Sequence, residues 1–321
     1  MLGGRRLGYF AGVLAALYLP FAWSATVVLS ECLGAFLAAL QLLLALEMTA
    51  RSTKRTWWLF AAFGVASAAL ALVKPAFVLW TIAPIVYLFA RRFEPPRRLL
   101  LLTGVALAGF GLLMVPWWTR NAVTLHQFIP LSTGAGNPML VSSGGVELSP
   151  QERAVAAIAK GRGRDPEVSA AVFRMSRQFS ADPAQFVVVR ARVAGIAASK
   201  PWIAPLDVMW EENFHPDVAR VDFGMPFPKQ PTAALESSWS LAHYYQWFLL
   251  ATAVASVAFF RRSPRLILVA TLPLYVIAVH YLNLFLDRYF FPAMPSVIVL
   301  AAAAAYGLWQ SGRSRSRRAR S

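Results

Sequence analysis

A single cysteine, Cys32, stands in 321 residues, inside an apolar run. It can form neither an intramolecular disulfide nor a cysteine-based zinc cluster. Histidine is nearly as scarce: His126, His215, His243 and His280 show no HExxH or comparable metal spacing, so a catalytic zinc is not expected. Acids are few as well, 15 against 31 lysines and arginines, for a formal net charge of +16. In a soluble chain that excess would suggest nucleic acid. Here no hydrophilic basic domain with interleaved aromatics exists to dock it. Internal repeats, heptad runs and low-complexity tracts are also missing, apart from the terminal RSRSRRAR, which suits anionic headgroups.

What is present is apolar. Hydrophobic residues make up 58% of the chain, and several runs approach the roughly twenty residues that a helix needs to cross a bilayer. Windows of about nineteen residues pick out spans near 7–23, 25–47, 56–73, 75–90, 99–117, 241–260, 264–282 and 289–309. The N-terminus, with Arg5 and Arg6 ahead of an apolar stretch, superficially resembles a secretory signal. It lacks a convincing small-residue cleavage site before a soluble mature chain, so the first segment is expected to be retained.

The expected fold class is an all-α polytopic membrane protein of about eight transmembrane helices with one long, partly helical extracytoplasmic loop. Its parts are five spans in 1–118, the loop subdomain in 119–240, three spans in 241–310 and a basic tail in 311–321. More than half of the basic residues sit in five clusters: Arg5–Arg6; Arg51, Lys54 and Arg55; Arg91, Arg92, Arg97 and Arg98; Arg261, Arg262 and Arg265; and the tail. With eight spans all five fall on one side, which the positive-inside rule makes cytoplasmic, so both termini are expected there. The loop, with acids and bases in near balance, is expected outside. Its stretches PQERAVAAIAKG, DPEVSAAVFRMSRQF and DPAQFVVVRARVAGIAASK are helix-like, with proline and an acid near each start. A Pro- and aromatic-rich strap follows.

Charges that contradict their position are the informative ones. Glu31 falls about six residues, or roughly 9 Å, inside the second expected span, and Lys74, Arg120, Asp287 and Arg288 fall at outer ends or turns of others. A membrane carboxylate faces a cavity or a partner. Arginine gives parallel hydrogen bonds to phosphate oxygens and lysine a point charge, so these cations together suit a lipid phosphate or pyrophosphate. The plainer reading stays open: arginines at helix ends snorkel to headgroups, and Glu31 pairs with Lys74. STGAGN, Ser132–Asn137, is Gly-rich but carries no Walker lysine and is read as a turn. The tryptophans Trp117, Trp118, Trp202, Trp210, Trp239 and Trp247 suit an aromatic belt, loop anchors or sugar stacking.

Four stretches, ALYLPFAWSATVVLSECLGAFLAAL, AAFGVASAALALVKPAFVLW, VPWWTRNAVTLHQFIPLSTGAGNPMLVSS and LDRYFFPAMPSVIVLAAAAAYGL, carry a resemblance in their order and spacing. The chain resembles GT-C class glycosyltransferases, especially bacterial family 39, which includes protein O-mannosyltransferase-like and lipid A aminoarabinose transferase-like enzymes. Lys74 replaces the family's more usual arginine. The resemblance implies inverting sugar transfer at the outer membrane face, from a polyprenyl-phosphate sugar donor to a lipid, protein or glycan acceptor. It implies Lys74, Arg120 and Arg288 around the donor phosphate and Asn121 and Tyr289 at the substrate. The catalytic group is unassigned, with Glu31 a weak candidate, because the family's early acidic loop has no counterpart here. On this reading the chain lacks the family's N-terminal helices, as a shortened gene model or product, or as a shortened, non-catalytic paralogue. No cofactor is expected, and a divalent metal stays open. Partners beyond donor and acceptor are membrane lipids, without nucleic acid. The competing class is a transporter or flippase of a polyprenyl-linked or other anionic solute; its paired broken helices and central charges are not evident. An O-antigen-ligase-like enzyme is a third reading.

The expected location is a bacterial cytoplasmic membrane. Alkaline phosphatase fused after Lys200 should then be active and the same reporter after Arg318 inactive. An active fusion at the tail would overturn the orientation.

Overall fold

The computed structural model describes residues 4–26, 30–49, 56–126, 128–131, 233–259, 263–282 and 290–318. The regular elements among them are helical: α1 (Gly4–Ala16), α2 (Leu19–Thr26), α3 (Ser30–Met48), α4 (Thr56–Val73), α5 (Ile82–Ala90), α6 (Pro96–Leu125), α7 (Ala233–Phe259), α8 (Pro264–Leu282) and α9 (Met294–Arg318). Short 3-10 turns at Pro75–Phe77 and Leu79–Thr81 lead into α5, and another at Phe291–Ala293 leads into α9. Four helical runs are long and apolar enough to cross a membrane: Ser30–Met48, Thr56–Val73, Pro96–Leu125 and Phe291–Leu308. Pro75–Ala90 and Pro264–Val279 are shorter apolar helices. The described chain is thus an all-helical assembly with membrane-spanning capacity.

Prolines explain where these helices stop. Pro20 has no N–H to bond the carbonyl of Ala16, and its ring clashes there, so the first apolar run breaks at Leu17–Tyr18 into α1 and α2. Pro75 biases Lys74 out of the helical region (φ −138°, ψ 88°), ending α4 at Val73. The expected span at 75–90 is therefore two 3-10 turns followed by a nine-residue helix. Pro273 lies inside α8 without breaking it. It removes the donor that Val269 O would have used, and the buried hydroxyl of Ser296, from α9, donates to that carbonyl instead.

One difference from the sequence expectations bears on the site. The described part of α3 begins at Ser30, with Glu31 in its first turn. Helix α6 runs on for two turns beyond the expected exit at residue 117, to Leu125. At 30 residues α6 reaches about 45 Å, well beyond a hydrocarbon layer of about 30 Å.

Two apolar cores order the bundle. The larger joins α1, α3, the end of α4, the following 3-10 turns, α7, α8 and α9. Helix α9 is its centre: two thirds of its apolar run is buried, and the alanines Ala301–Ala304 let neighbours approach closely. The smaller core packs Ala45 and Met48 of α3 with Phe60 and Phe63 of α4, Leu88 of α5, Leu99 and Leu102 of α6, and Leu268 of α8. This places the end of α3, the start of α4, the end of α5 and the starts of α6 and α8 together, beside Arg91, Arg92, Arg97, Arg98 and Arg265. Helices α4 and α6 consequently run parallel. Their other ends, carrying Lys74 and the Trp117–Asn121 stretch, point toward the opposite end of the bundle.

The α4–α6 contact is backbone against backbone. A Cβ on Gly64 would sit 1.9 Å from Ala106 O, and one on Gly109 would sit 2.5 Å from Ala61 O. Real Cβ atoms do not approach so closely, so both positions require glycine. Gly64→Ala should lower stability by about 1–3 kcal/mol, the usual cost of overpacking. Gly104→Ala and Gly111→Ala, where a Cβ meets nothing within 4 Å, should be neutral or slightly stabilising. Thermal unfolding in detergent will separate the two classes, and equal losses would show that the helix crossing is not set by the glycines.

Candidate functional site

The end of the bundle opposite the arginines is where charges enter an apolar structure. Glu31 and Lys74 meet there: Lys74 Nζ donates to Glu31 Oε1 at 2.6 Å, with both side chains more than nine-tenths buried. The two helices suit this pairing. Glu31 lies in the first turn of α3, where the helix dipole favours an anion, and Lys74 follows the last turn of α4, where it favours a cation. Lys74 N also donates to Leu70 O at 2.7 Å, which fixes where the side chain leaves the backbone. Its stem then crosses Gly34, one turn along α3 from Glu31. A Cβ on Gly34 would lie 3.2 Å from Lys74 Cγ and 3.5 Å from Pro292 Cγ. Pro292, in the turn before α9, thus covers the same spot from the third side.

Two turns deeper, the same α3–α4 seam holds a second polar rung. Gln41 Nε2 donates to Ser67 Oγ at 2.6 Å, and Ser67 Oγ donates to Phe63 O at 2.7 Å. Since the serine has one proton and spends it on Phe63 O, only the amide nitrogen of Gln41 can face it. Gln41 Oε1 is left buried without a partner among the described residues.

Arg120 and Asn121 form the other pair. Arg120 is exposed; its Nη1 donates to Asn121 Oδ1 at 3.0 Å, and its guanidinium carbon lies 5.6 Å from the centre of a Trp117 ring. Asn121 is fully buried, and its Nδ2 has no acceptor among the described residues. Beyond α6, His126 adopts a left-handed conformation (φ 50°) and the chain turns back. Trp117 Nε1 donates to Leu131 O at 2.9 Å and Trp118 Nε1 to Pro130 O at 2.8 Å. Phe128 packs against the Trp118 ring, and Ile129 is buried. These tryptophans therefore clasp the segment that leaves α6.

Of the residues singled out in the sequence, the structure brings Glu31 to Lys74 and Arg120 to Asn121. The described partners of Arg120 are Asn121 and Trp117, not the Glu31–Lys74 pair. Arg288 and Tyr289 lie outside the described residues, as do Asp287, His215 and the STGAGN turn. Gly34, Gln41, Ser67 and the tryptophan clasp went unread in the sequence. Gln41 alone left a signal there, as an amide in an otherwise apolar run. Neither a protein-family model, nor a curated protein, nor a solved structure matches the chain.

Removing one member of a buried ion pair strands the other, at a cost of about 3–5 kcal/mol, whereas replacing both by neutral groups of similar volume is often tolerated. Lys74→Met should therefore sharply lower the unfolding temperature in detergent, and Glu31→Gln combined with Lys74→Met should recover most of the loss. Additive losses in the double variant would rule out a coupled pair.

Proposed function

We propose that the chain belongs to a membrane glycosyltransferase that moves a sugar from a polyprenyl-phosphate donor to a lipid, protein or glycan hydroxyl, at the outer face of a bacterial cytoplasmic membrane. On this reading about eight spans cross the bilayer, both termini are cytoplasmic, and residues 119–240 form the outer loop. The order of the motifs around Glu31, Lys74, Arg120 and Arg288 supports it, as does the gathering of described arginines at the opposite end of the bundle.

One observation carries the proposal: an open cation at the end of an apolar helix. Arg120 is exposed and touches only neutral groups among the described residues, Trp117 and Asn121. As the bond between the anomeric carbon and the phosphate oxygen breaks, negative charge grows on the phosphate, and a preorganised cation lowers that barrier. Lys74, its charge already met by Glu31, is left out of the donor contact. Glu31, engaged by a lysine in a dry setting, is not assigned as the base. The acceptor hydroxyl needs a carboxylate within hydrogen-bond reach, and it comes on this reading from outside the described residues.

Membranes containing the full-length protein, given a radiolabelled prenyl-phosphate sugar, should move label from the prenyl carrier to an acceptor. Arg120→Ala should reduce transfer by about 10²-fold or more while leaving membrane insertion unchanged. Label that crosses the bilayer still on its carrier would identify a transporter. Full transfer by Arg120→Ala would remove the donor-site assignment.

A further inference from the structure

Two described cations at this end of the bundle, Lys74 and Arg120, are in opposite states. Lys74 is buried against a carboxylate, whereas the guanidinium of Arg120 is exposed and keeps its full charge. What holds Arg120 is neutral on every described side. The Trp117 ring supports it at 5.6 Å, and Asn121 Oδ1 accepts from Nη1 at 3.0 Å. Trp117 is fixed in turn, because its indole N–H is committed to Leu131 O. Arginine has five N–H donors in one plane. Asn121 uses one of them and leaves the others available.

Asn121 adds a second, independent sign. Only its oxygen can accept from a guanidinium, so the amide orientation is set and Nδ2 is the remaining group. That N–H is buried and lacks an acceptor among the described residues, a costly state that an acceptor oxygen brought by a ligand would relieve. Along α6 the exposed residues one and two turns before Arg120, Pro116, Leu112 and Leu113, are apolar. An anion that suits this place carries a hydrocarbon tail.

We infer that Trp117 and Asn121 are positioning residues that hold Arg120 as an open, planar reader of a lipid-borne phosphate ester. The inference rests on the proposed reading only for the prenyl nature of the lipid. A planar fork fits phosphate oxygens in pairs, which an ammonium does not. Asn121 must also be an amide. An aspartate of the same shape would neutralise Arg120 as Glu31 neutralises Lys74.

Farnesyl phosphate serves as the probe, titrated onto the purified full-length protein in phosphatidylcholine nanodiscs. The parent should bind saturably and more weakly as salt rises. Trp117→Leu, Asn121→Asp and Arg120→Lys should each weaken binding by about tenfold or more, through loss of the stacked ring, of the open charge and of the fork respectively. Trp117→Phe, which keeps a ring face, should stay within about threefold, and binding is compared below the unfolding temperature of every variant. A ring or amide with a merely structural role would not give this pattern. Parental binding by both Trp117→Leu and Asn121→Asp would overturn the inference. Discs containing phosphatidylglycerol assign the source: displacement of the probe identifies bulk headgroups, and its retention identifies prenyl phosphate. If the variant pattern holds but no sugar is transferred in the membrane assay, the transferase reading fails and the phosphate reader stands.

Discussion

A carboxylate and an ammonium buried among apolar helices must find each other, and the meeting of Glu31 with Lys74 sets one end of this bundle. Desolvating two charges costs several kcal/mol per ion, which only close geometry offsets. The local structure supplies that geometry from several directions. Pro75 ends α4 so that Lys74 leaves the helix at its last turn, and Gly34 leaves room for the lysine stem to lie flat on α3. Each charge also sits on the helix end whose dipole favours it. With Pro292 closing the third side, the pair ties the start of α3, the end of α4 and the entry to α9 at one point. Those are the elements on which the larger core is assembled.

Elsewhere the same bundle relies on close approach and on hydrogen bonds. Between helices in lipid, apolar side chains gain little from leaving one hydrocarbon for another, so backbone contact and polar clasps set the arrangement. Gly64 and Gly109 give α4 and α6 their direct backbone contact, and the alanines of α9 let neighbours close on its centre. Gln41 and Ser67 pin the α3–α4 seam below the ion pair. A one-turn slip of that hairpin would separate Glu31 from Lys74 and Gln41 from Ser67 together. Ser296 answers the carbonyl that Pro273 leaves without a donor. Tyr18 donates to Gln246 at 2.6 Å and Tyr245 to Leu14 O at 2.9 Å, joining the α1–α2 corner to α7.

Much of this architecture could be read directly from the chain. The runs 56–73 and 264–282 coincide with α4 and α8, because uninterrupted apolarity bounded by proline or basic residues leaves few other choices. Windowed hydropathy fails where a proline splits a run without changing its apolarity. It therefore reads 7–23 and 75–90 as single spans, although Pro20 divides the first and the second opens with two 3-10 turns. It also ends α6 at Trp117, since Thr119, Arg120 and Asn121 are polar. The backbone ignores that change, and helix continues to Leu125. At the site, Glu31 and Lys74 stand out as misplaced charges, and their mutual satisfaction is one of two readings the sequence permits. The roles of Gly34, Asn121 and Trp117 were not legible. Each depends on a neighbour that approaches through folding: a lysine stem, a single guanidinium edge, or a carbonyl fourteen residues along the chain.

The opposite fates of Lys74 and Arg120 narrow what this end of the molecule can do. A cation already paired with a carboxylate contributes little field to an incoming anion, because the two charges form a compact dipole whose influence falls off faster than that of a single charge. Counting cations by position would credit both residues equally; counting by partner credits only Arg120 among the described residues. One guanidinium is enough to bind and orient a phosphate ester. Splitting that ester also requires a base for the acceptor, and Glu31 is held by its lysine. Among the described helices this end therefore presents one guanidinium without a carboxylate and one carboxylate already held by a lysine, and the proposed transfer would need its acceptor base from another part of the structure.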